Sequence, residues 1–155
     1  MTNHPAFQDQ IPGNGCYGCG PHNDQGLRLK SHWEGEESVA AFMPEPFHAA
    51  GPSHVLNGGI IATVIDCHGV CTAIAEAYRR EGRAIGSAPE IWYATGSLRV
   101  DYLKPTPMDQ PLTLRASVVE AGPKKTRIAC SLYALGQECA RGEVLAIRVA
   151  NDWRA

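Results

Sequence analysis

The chain has 155 residues, 44% hydrophobic and 19% charged, which suits one globular domain with a sizeable core and excludes a disordered chain. Its 14 basic and 16 acidic residues leave a net charge of −2, and the basic residues are scattered, which argues against a nucleic-acid partner. Six cysteines, in a chain whose first residues lack a basic and an apolar signal region, point to reduced thiols and a cytoplasmic location.

Residues 1–25 are rich in Gly, Pro and Asn and read as an irregular arm, followed by a single domain over 26–155. In the arm, Cys16, Cys19 and His22 form a C-x2-C-x2-H cluster that His4 or His32 could complete as a zinc site. Only one CxxC pair is present, with no second pair at a fixed spacing. A packed arm is therefore the expected reading, and no metal or cofactor is assigned. Residues 26–33 and 37–44 read as short strands joined by a tight Glu-Gly-Glu connection, and 45–54, with Pro46 and Pro52, as a loop.

From Asn57 the pattern becomes helical. Asn57 can cap the helix by accepting from an early unpaired amide. Ile60, Ile61, Val64, His68, Cys71, Ala75 and Tyr78 then share one face. The basic, Gly-containing 79–83 ends the helix after about six turns. Asn57, Asp66 and His68 interrupt this apolar segment, so no membrane span is expected. Cys67, Cys71 and Cys130 lie in apolar surroundings and read as small core residues.

The second half reads as four strands, 91–103, 111–121, 125–135 and 140–151. Short connections at 122–125 and 136–139 make antiparallel hairpins of the later strands, and a proline-rich loop separates the first from the second. Two short strands, one long apolar helix and four long strands make an α+β fold, with a curved sheet wrapped around the helix.

Asp66 stands in the middle of that helix. Its stripe carries Gly59, Ala62, Thr63, Gly69, Val70 and Ala73, small side chains that leave room for a ligand or a second subunit. Either Asp66 is a satisfied structural acid or it serves a site, because an ionised carboxylate in an apolar segment is costly unless paired, solvated or used. The amide at Gly58, at the helix N-terminus, is placed to stabilise an oxyanion. Gly58 and Asp66 are eight residues apart, about 12 Å at ~1.5 Å per residue, so one substrate carbonyl cannot touch both unless Asp66 reaches back or a second chain supplies one.

"NGGIIATVID" (57–66) resembles the HGG…D signature of hotdog-fold acyl-CoA thioesterases of the phenylacetate-pathway type. "YATGSLRVDYLKPTP" (93–107) is similar to the central strand of that family, and "CYGCGPHNDQGLRL" (16–29) to the N-terminal segment of one of its branches. The resemblance implies a hotdog fold, one central helix wrapped by five to six antiparallel strands, and a homodimer or dimer of dimers whose sites lie between subunits. It implies an acyl-CoA substrate, with Asp66 as general base or nucleophile and Gly58 as the oxyanion amide. By the same resemblance Thr95 orients water or the carboxylate, Asn57 occupies the position often held by His, and Gly59, Thr63, Gly96 and Ser97 flank the substrate. Asn57 cannot titrate, and His48, His54 and His68 read as loop or core residues.

Two other roles carry over less well. A hotdog dehydratase or hydratase usually needs a His paired with an acid. A non-catalytic acyl-CoA-binding protein would keep the shape without turnover. Lys124 and Lys125, at a hairpin tip, could meet coenzyme A phosphates or be solvated turn residues. Trp33, Trp92, Tyr93 and Tyr102 suit an aromatic or medium-length acyl group. Strict alternation in 91–103 puts Thr95 on the face away from its own helix, near the subunit seam, unless a bulge at Gly96 reverses it.

Overall fold

The Asn57 side chain accepts from the amides of Gly59 and Ile60, at 2.8 and 3.3 Å, and starts a 23-residue helix, α2 (Gly58–Arg80). The cap therefore falls where the sequence places it. Arg79 and Arg80 occupy the last turn, and Gly82, at φ +65°, carries the chain out of it. By length and composition alone α2 could cross a membrane, but in the structure it is largely buried.

The computed structural model describes residues 4–154, so Met1 to Asn3 of the arm and Ala155 lie outside it. The strands are β1 (Lys30–Glu34), β2 (Glu37–Phe42), β3 (Trp92–Tyr102), β4 (Leu112–Ala121), β5 (Lys125–Ala134) and β6 (Gln137–Val149). They form one antiparallel sheet in the order β1-β2-β4-β5-β6-β3, curved around α2: a hotdog fold. Gly35, at φ +63°, turns β1 into β2.

One departure from the sequence reading lies at the β5–β6 turn. Strand β6 begins at Gln137, before the expected 140, because Leu135 and Gly136 alone make the turn, both at positive φ. A two-residue turn of that kind matches the twist of the flanking strands, and leucine rarely signals it. Strand β3 pairs with β6, which places it at the sheet's far edge.

The inner face of the sheet supplies Leu112, Leu114, Ala116, Ile128, Cys130, Leu132, Val144 and Ala146, and α2 supplies Ile61, Val64, Ile65, Ile74 and Tyr78. Burying each large aliphatic side chain contributes about 1.5–3 kcal/mol. Part of the small-residue stripe on α2 serves this packing. A Cβ at Gly69 would stand 2.6 Å from the Val144 side chain, and one at Gly142 2.7 Å from Ile65. Gly69 and Ala73 are thus core residues and leave no room for a ligand. Ala62, Thr63, Asp66 and Val70 remain half-buried.

The arm carries one turn of helix, α1 (Phe7–Gln10), and packs into this core. The Phe7 ring lies 5.2 Å from that of Trp33, and the buried Gln8 side chain donates to Ser31 Oγ and accepts from the Ser31 amide, both at 2.7 Å.

Candidate active site

The outcome at Asp66 depends on a backbone irregularity in β3. Thr95 is paired with Ala146 and Ser97 with Leu145, so Gly96 is an extra residue, a β-bulge. Only glycine fits there, since a Cβ would come within 2.6 Å of the Ile147 side chain. The bulge reverses the alternation. Thr95 stands beside Ala146 and Leu98 beside Val144, both of them inward-facing residues of β6, while Ser97 is exposed.

Thr95 therefore points toward its own helix, which corrects the strict-alternation reading. Its Oγ1 donates to Asp66 Oδ1 of the same chain at 2.8 Å. Burial holds the Asp66 carboxyl above the usual carboxylate range, and the Thr95 hydrogen bond partly opposes that shift. A carboxylate that is half-desolvated and steadied at one oxygen is a stronger base than one in water, and its second oxygen stays available.

Beside this pair lies a cavity of about 410 Å³, bounded by the arm, α2 and β3. Ile11, Val70, Ile74, Trp92, Tyr93 and Trp153 give it apolar walls, and Asp66 and Thr95 face it together with Cys16, Cys19, Cys67 and Cys71. Hydrogen bonds from Cys16, Cys67 and Cys71 hold the Cys19 thiol below the ordinary thiol range. The Cys67 thiol is raised by its hydrogen bonds to Cys16 and Cys19, and that of Cys71 by its bond to Cys19, with burial adding to both.

The other residues singled out from the sequence fall as follows. Asn57 is engaged as the helix cap. Gly58 is half-buried, and its carbonyl accepts from the Tyr102 hydroxyl at 2.7 Å, a contact no local signal announced. Gly59 is exposed beside the cap. The Thr63 hydroxyl donates to the Gly59 carbonyl at 2.9 Å, and its methyl faces Gly18 of the arm. Lys124 and Lys125 border a separate depression with Glu120, Arg127 and Leu145, on the side of the sheet opposite Val144 and Ala146, and are not brought to Asp66 of their own chain. His54 is exposed, His48 accepts from the Glu45 amide at 2.9 Å, and His68 is buried on the far side of α2.

With this geometry in hand, the relatives of the chain become informative. A family model described as thioesterase superfamily matches residues 53–140, which span the helix cap, Asp66, Thr95 and most of the sheet. A thioesterase superfamily protein from Shewanella loihica PV-4 is 40% identical, with 79% of this chain and 91% of that one covered and a TM-score of 0.64. The chain belongs to the thioesterase superfamily. A phenylacetic acid degradation-related protein from Ralstonia eutropha JMP134 is 14% identical over 78% of this chain and 85% of that one (TM-score 0.63), and a thioesterase from Haemophilus influenzae 13% over 79% of each (TM-score 0.65). These distant likenesses show the fold alone. No curated protein matches the chain. Membership supports a thioesterase-type activity on a thioester substrate.

Proposed function

We propose that the protein is a cytoplasmic acyl-CoA thioesterase in which Asp66, steadied by Thr95, acts as general base. The observation that carries this reading is the 2.8 Å hydrogen bond from Thr95 to Asp66 Oδ1 at the edge of an apolar cavity. The acyl group occupies that cavity, and Asp66 Oδ2 takes a proton from water as its oxygen attacks the thioester carbonyl. The tetrahedral intermediate then collapses, the carbon–sulfur bond breaks, and the proton on Asp66 passes to the departing thiolate. Acid and free coenzyme A result.

The developing oxyanion needs donors, and the Gly58 amide at the helix N-terminus suits that role. It lies about 12 Å along the helix from Asp66 of its own chain, so the amide and the acid of one site come from two chains. Strand β3 supports pairing as a homodimer: it is a long sheet edge, and Leu98 and Tyr102 along it and Leu103 just past its end are exposed, an arrangement that calls for cover. A dehydratase or hydratase reading is weaker, because no histidine contacts Asp66 among the described residues and Asn57 is held as a cap.

Free thiol released from a panel of aromatic and straight-chain acyl-CoAs tests the activity. Binding without release would leave the non-catalytic reading standing. A single turnover in ¹⁸O water tests the base: label should enter the product acid and not Asp66, whereas label in Asp66 would identify it as the nucleophile.

A further inference from the structure

The mechanism above makes no use of the four thiols at the inner wall of the cavity, which come from two distant parts of the chain. Cys16 and Cys19 form the CxxC of the arm, and Cys67 and Cys71 are spaced i, i+4 on one stripe of α2. The Sγ atoms of Cys16 and Cys67 are 3.7 Å apart, as are those of Cys19 and Cys71. Cys16, Cys19 and Cys67 have ligand atoms all within 4.8 Å of one another, while Cys71 lies outside that group, joins it through Cys19, and must turn its Sγ inward to become the fourth ligand. Zinc bound to sulfur at ≈ 2.3 Å in a tetrahedron has S···S edges of about 3.8 Å, so two edges already have the required length.

The loop around the CxxC is shaped for this approach. A Cβ at Gly18 would stand 2.3 Å from Cys67 Sγ, so any other residue would lift the arm off the helix. A Cβ at Gly20 would meet the Cys16 amide nitrogen at 2.4 Å, and the Gly20 N–H closes the turn onto the Cys16 carbonyl at 2.7 Å. Asn14 orients the sulfurs from outside: its side-chain oxygen accepts from the Cys16 amide at 3.2 Å, and its amide group donates to Cys19 Sγ at 3.8 Å. Support of this kind from neighbouring groups is usual around metal ligands. Cys16 is exposed, which gives an ion a way in, while the other three sulfurs are buried.

We propose that Cys16, Cys19, Cys67 and Cys71 bind one zinc ion that fastens the arm to α2 beside Asp66. An all-thiolate tetrahedral set selects zinc over the harder divalent cations. As each sulfur takes the metal, any proton it carries goes to solvent, and no sulfur–sulfur bond forms. The ligand set differs from the C-x2-C-x2-H cluster suggested by the arm alone, because His22 is exposed, whereas the buried Cys71 Sγ lies 3.7 Å from that of Cys19. On this assignment the ion is structural, since four protein sulfurs close its coordination and leave no open position for water.

Metal analysis of the full chain, purified without chelator, should find about one zinc per chain, the stoichiometry of a single four-thiolate site. Replacing zinc with Co²⁺ should give the intense visible bands of a tetrahedral, sulfur-rich cobalt site together with thiolate-to-cobalt charge transfer. Cys19→Ser and Cys67→Ser should lose most of the metal. If either fails to fold, Cys16→Ser at the exposed ligand serves instead, and the wild-type cobalt spectrum depends on no variant. Chelation of wild type should lower Tm and make four further thiols reactive. A metal-free protein with all its thiols free would overturn the proposal. So would a disulfide among the four cysteines, or zinc retained in all three serine variants.

Discussion

Asp66 and His68 sit two residues apart on α2 and illustrate two opposite uses of a polar group in an apolar helix. His68 is fully buried, with both ring nitrogens engaged. Gln8 donates to Ser31 Oγ, which donates in turn to His68 Nδ1 at 2.7 Å, and Nε2 then carries the proton and faces the Ser38 carbonyl at 3.1 Å. Ser38 donates to Thr72 at 2.6 Å, and Thr72 to the His68 carbonyl at 2.7 Å, so every hydroxyl donates once. Asp66 has a side-chain partner at one oxygen, and a cavity lies beside it. A closed network specifies packing, whereas an open-sided one is available for chemistry. On a helical wheel the two residues are equally anomalous, and only their partners separate them.

The comparison breaks most readily at His68. His68→Ala should cost ~3–4 kcal/mol, since it opens a cavity and strands the Ser31 hydroxyl and the Ser38 carbonyl, and the protein that remains folded should turn over near the wild-type rate. Chemical denaturation together with active-fraction kinetics checks both halves. Burial pushes the His68 pKa down to about 4 from an ordinary 6.5. The folded state therefore resists a proton that the unfolded chain accepts. Its contribution is complete above pH 6.5 and is lost as pH falls toward 4, up to ~3 kcal/mol at 1.36 kcal/mol per unit. Unfolding free energies at pH 7 and pH 4 should show that loss, and His68→Ala should lack it. A pH-independent difference between the two proteins would remove His68 from this account.

Thr95→Val keeps the shape of the side chain and removes its hydrogen bond to the Asp66 carboxylate. Turnover should fall ~10-fold, with Tm unchanged, as expected for loss of about 1.4 kcal/mol of positioning. Unchanged kcat would show that Asp66 needs no support. Asn57→Ala should have the smallest effect, a loss of ~1 kcal/mol from the cap seen in the melting curve, with only a mild change in rate. A rate loss tenfold or greater at constant Tm would place Asn57 at the thioester instead.

The parts of the molecule legible in the sequence are those set by local physics. The Asn57 cap, the basic, Gly-ended helix terminus and the strand patterning of 111–121 each depend on neighbours a few residues away, and each is found in the structure. Position Asp66 was legible as an anomaly for the same reason. What was hidden depends on contacts distant in sequence. Thr95 faces α2 because Gly96 bulges against Ile147, some fifty residues on, and periodicity along 91–103 cannot report that. Cys67 and Cys71 look like ordinary core thiols until the arm brings Cys16 and Cys19 onto them. The clue available in the sequence was the i, i+4 spacing of two cysteines beside Asp66.

The central claim is that the open-sided carboxylate performs the chemistry. It is tested most directly by thiol release from the best acyl-CoA of the panel, measured for wild type and Asp66→Asn side by side, with near-UV circular dichroism confirming that both are folded. The account predicts a fall of at least ~10²-fold in kcat for the variant with its fold unchanged. An Asp66→Asn protein turning over at close to the wild-type rate would contradict it and make Asp66, like His68, a structural residue.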